Sequence, residues 1–196
     1  QVRTDIRAVE FLGRDSSTRR AFEALDRIYG GMNVVQIEFD TGVTNGVNDL
    51  AFLRYLDRVH RFAETRADLS GVYSYAQLLA MINQIWENER PGSFRLPDTA
   101  LQINLFVLAL KAQNFPFLTA LADPALRTGY LVLRTRDMPA NRYLALIDEV
   151  TTYAANRKPA GVTLSAARGI HTILEADRRI IRSQIEGFDA QVDVAE

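Results

Sequence analysis

The chain contains no cysteine in its 196 residues. That removes disulfide staples, thiolate zinc sites, iron–sulfur clusters and thiol nucleophiles together. Histidine is nearly as scarce, with only His60 and His171. Lysine occurs only at Lys111 and Lys158, so arginine supplies almost all of the positive charge. Neither sign is in excess: 23 basic against 24 acidic residues leave a formal charge of −1. A nucleic-acid-binding domain usually carries a basic surplus, so no nucleic-acid partner is expected. No apolar run reaches the roughly 18 residues of a membrane-spanning helix. The nearest approach, residues 101–112, is interrupted by Gln102, Asn104 and Lys111.

Local signatures of chemistry are missing too. There is no GxGxxG, no GxxxxGK[ST], no HExxH, no EF-hand spacing and no GxSxG elbow. The expectation is therefore no catalytic set, no metal site, no cofactor and no enzyme. His60 falls on an amphipathic segment beside Arg58 and Arg61, where a surface or half-buried histidine is the ordinary outcome. The pairs Arg19-Arg20 and Arg178-Arg179 could meet anionic lipid head groups. Balancing acids at Glu23, Glu175 and Asp177 make solvated helix faces the simpler reading.

What is present is the composition of a folded domain: 47% hydrophobic and 24% charged residues. Periodicity predicts the elements. A helix is expected over 18–29, capped from Asp15-Ser16-Ser17, with Phe22, Leu25 and Ile28 on its stripe and Gly30-Gly31 stopping it. A strand over 34–40 alternates Val35, Ile37 and Phe39 with Gln36, Glu38 and Asp40. A helix over 49–65 follows, capped by Asn48, then a short strand over 72–74. The next helix covers 75–88, with Leu78, Leu79, Ile82, Ile85 and Trp86 inward, and Pro91-Gly92 breaks it. A helix over 99–113 is apolar on most sides, and Pro116 and Pro124 bracket a short helical piece. A strand over 130–136, a helix over 141–156 capped by Asn141, and a strand over 162–167 complete the pattern. Residues 170–184 read as a last helix and 187–196 as an acidic, frayed tail.

This order gives an α+β fold of the ferredoxin-like, split βαβ type. An N-terminal segment and helix over 1–33 lead into a first βαβ half over 34–74. A helical insert over 75–126 separates it from a second half over 127–169, and 170–196 form the C-terminal helix and tail. The chain opens on Gln1 rather than methionine, which reads as processing or as a piece of a longer protein.

Several stretches together resemble one family. They are Phe11-Leu12-Gly13-Arg14-Asp15-Ser16-Ser17 before the first helix, and Leu25-Asp26-Arg27-Ile28-Tyr29-Gly30-Gly31 at its end. Val72-Tyr73-Ser74-Tyr75 makes the strand-to-helix step, and Asn83 followed by Arg95-Leu96-Pro97-Asp98 precedes the insert helices. Ala122-Asp123 leads back to the second half, and Leu164-Ser165-Ala166-Ala167-Arg168-Gly169 precedes the last helix. In this order and spacing, over about 160 residues, the chain resembles an extracytoplasmic loop of the RND superfamily of exporters. The similarity is to the MMPL-like branch with its lipid and hopanoid exporters, and more to the second large loop than to the first. Arg168 stands where that family often has threonine, which weakens the final step.

The resemblance implies a periplasmic, porter-type domain of a proton-driven transporter in the bacterial inner membrane. Its partners would be a hydrophobic or lipid-like molecule and the membrane helices of the parent, with a homo-oligomer open to the full-length protein. Proton-carrying residues would lie in those helices, outside this chain. Under that reading Phe106, Phe115 and Phe117 are the candidates to line a route for the substrate, with ordinary core packing as the competing explanation. The alternative is a free-standing ferredoxin-like binding or assembly module, because fold alone does not fix function.

Overall fold

The computed structural model describes residues 16–31 and 33–166. The expected segments at 1–15, 170–184 and 187–196 lie outside the described residues, as do His171, Arg178 and Arg179.

Helix α1 (Ser17–Tyr29) begins where Ser16 Oγ accepts the Arg19 amide at 3.1 Å and ends at Gly30, in the left-handed region. Ile28, expected on the apolar stripe, is exposed. Arg19 pairs with Glu23 one turn along the same helix at 2.8 Å. Strand β1 (Asn33–Asp40) then alternates as its sequence predicts, with Val35, Ile37 and Phe39 buried.

A short 3-10 turn (Gly46–Asn48) leads into α2 (Leu50–Glu64). Its cap is Asp49, whose Oδ1 accepts the Phe52 amide at 2.9 Å. Asn48, the expected cap, instead accepts the Tyr75 hydroxyl at 2.6 Å. Strand β2 (Leu69–Ser74) is longer than predicted. Its first half carries a bulge at Ser70-Gly71 against β3, and this irregularity hides the period of two.

The chain then runs through α3 (Tyr75–Trp86), α4 (Ala100–Ala112) and α5 (Pro116–Leu121) before β3 (Thr128–Thr135). Helix α6 (Ala140–Ala155) starts one residue before Asn141, from Pro139, with no side-chain cap. Strand β4 (Thr163–Ala166) ends the described chain.

The four strands form one sheet in the order β2-β3-β1-β4, with every neighbouring pair antiparallel. It follows that β1 and β2 run parallel with β3 between them, and β3 and β4 run parallel with β1 between them. The fold is α+β. Register sets Ile37 opposite Leu131 and Val35 opposite Leu133, and Leu133 opposite Val72. These side chains share one face and form a single core with the buried sides of α2 and α6. The two helices are tied by the Tyr55 hydroxyl, which donates to the Ala154 carbonyl at 2.9 Å. A surface ladder joins them again: Phe62 stacks on Tyr153 at 3.8 Å, with Arg66 over one ring and Arg157 over the other.

The other face of the sheet carries Tyr73 opposite Val132, Gln36 opposite Val132, and Val34 opposite Arg134. It is only partly covered, since Val34 and Tyr73 are exposed. At one end of the sheet Arg127 grips Asp40 with two bonds of 2.7 and 2.8 Å. The Arg127 guanidinium, helped by the Gly42 amide, holds the Asp40 carboxyl below its ordinary range.

The folded value thus lies under the unfolded one, so the unfolded chain takes up the proton first as pH falls. This pair's stabilisation is complete above the ordinary aspartate value near ~3.9 and disappears as pH drops through the lower folded value. Urea midpoints measured against pH should fall less steeply below about pH 4 in Asp40→Asn than in the parent chain.

Candidate functional site

Among the described residues, an apolar groove of about 490 Å³ is of ligand-binding size. It lies where the helical insert meets the open face of the sheet. Tyr73 and Val132 form its floor on β2 and β3; Gln77, Leu78 and Met81 form one wall on α3. Phe115, Phe117, Ala120 and Leu121 form the other wall at α5, and Phe94 closes one end from the α3–α4 connection.

Local sequence places each wall. Strand β2 passes into α3 without a loop, because Ser74 caps the helix by accepting the Gln77 amide at 3.2 Å. That junction holds Gln77 and Met81, one turn apart, over the strand that bears Tyr73. Phe94 is positioned from below. The buried Asn83 side-chain amide donates to the Ser93 carbonyl at 3.1 Å and to Glu87 at 3.2 Å. Arg95 then bridges Glu87 and Asp98 at 2.9 and 2.6 Å.

The α4–α5 corner is set by Asn114, in the left-handed region, and by Pro116 at the first turn of α5. A residue before proline is held extended, so Phe115 projects as a fixed wedge. Its ring lies 5.6 Å from that of Phe117. Phe115 also lines a second, more polar cleft of about 360 Å³ with Lys111, Asn114 and Thr119. Asp123 at that cleft is already committed, accepting the Arg127 and Thr128 amides at 2.7 Å.

The three candidate residues therefore separate. Phe115 and Phe117 meet in the groove. Phe106 does not line it: that ring is buried on the inner side of α4 and packs against Trp86 at 5.7 Å. The expectation that Ile85 and Trp86 face inward is corrected as well, since both are exposed near the end of α3. Asn88 and Glu89 adopt left-handed conformations that stop this helix at Trp86. Sequence reasoning missed Tyr73, Met81 and Phe94 as wall residues. The alternation Val72-Tyr73-Ser74 did carry one signal, because it places Tyr73 on the face away from the core.

His60 proves to be a core residue. Its imidazole is buried, and burial pushes its pKa down even though Glu64 lies 3.2 Å away. Among the described residues no group of three or more histidine, aspartate or glutamate side chains is placed to hold a metal ion. None of the described helices is long and apolar enough to cross a membrane. No protein-family model matches the chain, and no curated protein matches its sequence.

Proposed function

We propose that this chain is the water-facing domain of an RND-superfamily, MMPL-like exporter and takes a hydrophobic or lipid-like molecule into the groove between its helical insert and its sheet. The observation that carries the reading is the groove's chemistry. Its walls are leucine, methionine and aromatic side chains, with only Gln77 and the Tyr73 hydroxyl as polar groups. Such a lining favours an apolar guest by removing its surface from water and offers little orientation for covalent chemistry.

The strand order supports the ferredoxin-like, split βαβ form of the fold. Each half, β1–α2–β2 and β3–α6–β4, has a strand of the other half between its own two. In this reading the domain binds and releases cargo as distant membrane helices rock it, and the proton chemistry stays in those helices. Its place would be the periplasmic face of the bacterial inner membrane.

The test is the gene on both sides of this chain. Apolar segments of about 20 residues just before Gln1 and soon after residue 185 are expected. A start codon and a stop codon in those places would leave the free-standing binding or assembly module instead.

A further inference from the structure

A cation stands beside the groove floor without a carboxylate partner. Arg134 follows Val132 by two residues on β3, so both side chains project from the open face of the sheet, roughly 7 Å apart along the strand. Its guanidinium carbon lies 5.7 Å from the centre of the Tyr73 ring, which is part of that floor. Gly71 makes room for this arrangement. A Cβ there would lie 2.9 Å from the Tyr73 hydroxyl oxygen and 3.2 Å from Arg134 Nε. Hydroxyl and guanidinium thus sit side by side over a residue that has no side chain.

The guanidinium is held in place but not satisfied. Nη2 donates to the Ser70 carbonyl at 3.3 Å, which is long for such a bond. Nε is buried and has no hydrogen-bond partner among the described residues. No carboxylate among the described residues pairs with this arginine. Its neighbour across the β1–β3 ladder is Val34, which is exposed and carries no charge. Glu38, on the same face of β1, is four residues from Val34 and accepts the Ser165 hydroxyl at 3.3 Å. A partly desolvated guanidinium with an unused donor is a favourable partner for an anionic oxygen.

An apolar groove that ends beside such a cation suits one kind of guest. We infer that the groove takes a single-chain anionic amphiphile, its tail between α3 and α5 and its carboxylate against Arg134 and the Tyr73 hydroxyl. At about 490 Å³ the groove has the size for one small ligand. The inference rests on reading the groove as an apolar ligand site, and it adds the charge of the guest.

Displacement of an apolar fluorescent probe from the full 196-residue chain tests it. The titrations are run at about pH 8, where a carboxylic acid is ionised. The competitors are decanoate, decanol and decyltrimethylammonium, all below micellar concentrations. Decanoate is expected to bind at least about tenfold tighter than decanol, with the ammonium amphiphile weakest. Added salt should shrink that preference. Arg134→Gln should bring the decanoate-to-decanol affinity ratio to within about twofold of unity. Arg134→Lys should keep most of the preference, and Arg134→Glu should turn it toward the ammonium. Acetate, a carboxylate without a tail, should displace nothing. The ratio in the parent chain and its salt dependence decide the matter if a variant fails to fold. Equal affinity for the three amphiphiles, a ratio that survives in Arg134→Gln, or displacement by acetate overturns the anionic guest and leaves the apolar groove standing. A probe that does not bind, or that none of the three displaces, contradicts the groove as a ligand site, and the inference falls with it.

Discussion

Phe117→Asp is expected to lower the affinity of the domain for an apolar fluorescent probe by about thirtyfold or more, with little change in stability. Phe117 is 62% exposed, so it contributes little to folding. A ligand in the groove would cover this ring, and burying a large apolar side chain is worth about 1.5–3 kcal/mol. Aspartate removes that gain and adds a carboxylate that must be desolvated when the ligand enters. A loss of about 2 kcal/mol corresponds to roughly thirtyfold in affinity.

Phe106→Ala provides the contrast. That ring is in the core against Trp86 and not in the groove. Its loss should cost about 3–5 kcal/mol of stability, while the fraction still folded binds the probe as before. Probe fluorescence titrated at 15 °C, alongside thermal melts of both variants, checks the pair of outcomes. Full affinity in Phe117→Asp would remove that residue from the site.

Gly31→Ala is expected to be strongly destabilising for a change of a single methyl group. Gly31 has φ = +141°, a conformation side chains rarely adopt, and an added Cβ would lie 2.3 Å from the Thr135 carbonyl oxygen. The obstacle is backbone, so no rotamer change relieves it. Thr135 also pairs with Asn33, so a shift there would open the end of the β1–β3 ladder.

The loss should be about 3 kcal/mol or more, from clash and backbone strain together. For a domain of this size that lowers Tm by roughly 6–12 °C. Gly92→Ala is the control. Its φ is +81°, yet nothing lies within 4 Å of the added methyl. Only the left-handed penalty of about 1 kcal/mol applies there. Equal shifts for the two variants would show that conformation alone governs Gly31.

Much of this architecture is legible in the sequence, and the exceptions have physical causes. Strand β1 reads directly because one face is buried and the other is not, so polarity follows the pleat. Strand β2 reads only from Val72 onward, because a bulge at Ser70-Gly71 breaks the alternation that identifies strands. Asn48 and Asn141 look like helix caps by residue type. Asn48 is engaged by Tyr75, 27 positions away, and that contact has no local signature.

The core positions of α4 are hard to read for a different reason. Leucines on opposite sides of a helix leave no polar face to mark the outside. The groove was half visible. Phe115 and Phe117 stand out because Pro116 sits between them. Tyr73, Met81, Phe94 and Val132 come from four other segments, and only the folded chain brings them together.

The groove itself can be watched through methionine. The chain has three methionines, and Met81 is in the groove wall while Met138 packs at the edge of the core. Carbon-13 methyl labelling of methionine gives one signal for each. Titration with a single-chain amphiphile below its micellar concentration should move the Met81 methyl saturably and leave Met138 in place. The Met81 response should vanish in Phe117→Asp. A Met81 signal that does not move across the titration, or moves equally in Phe117→Asp, would contradict an apolar ligand site in this groove.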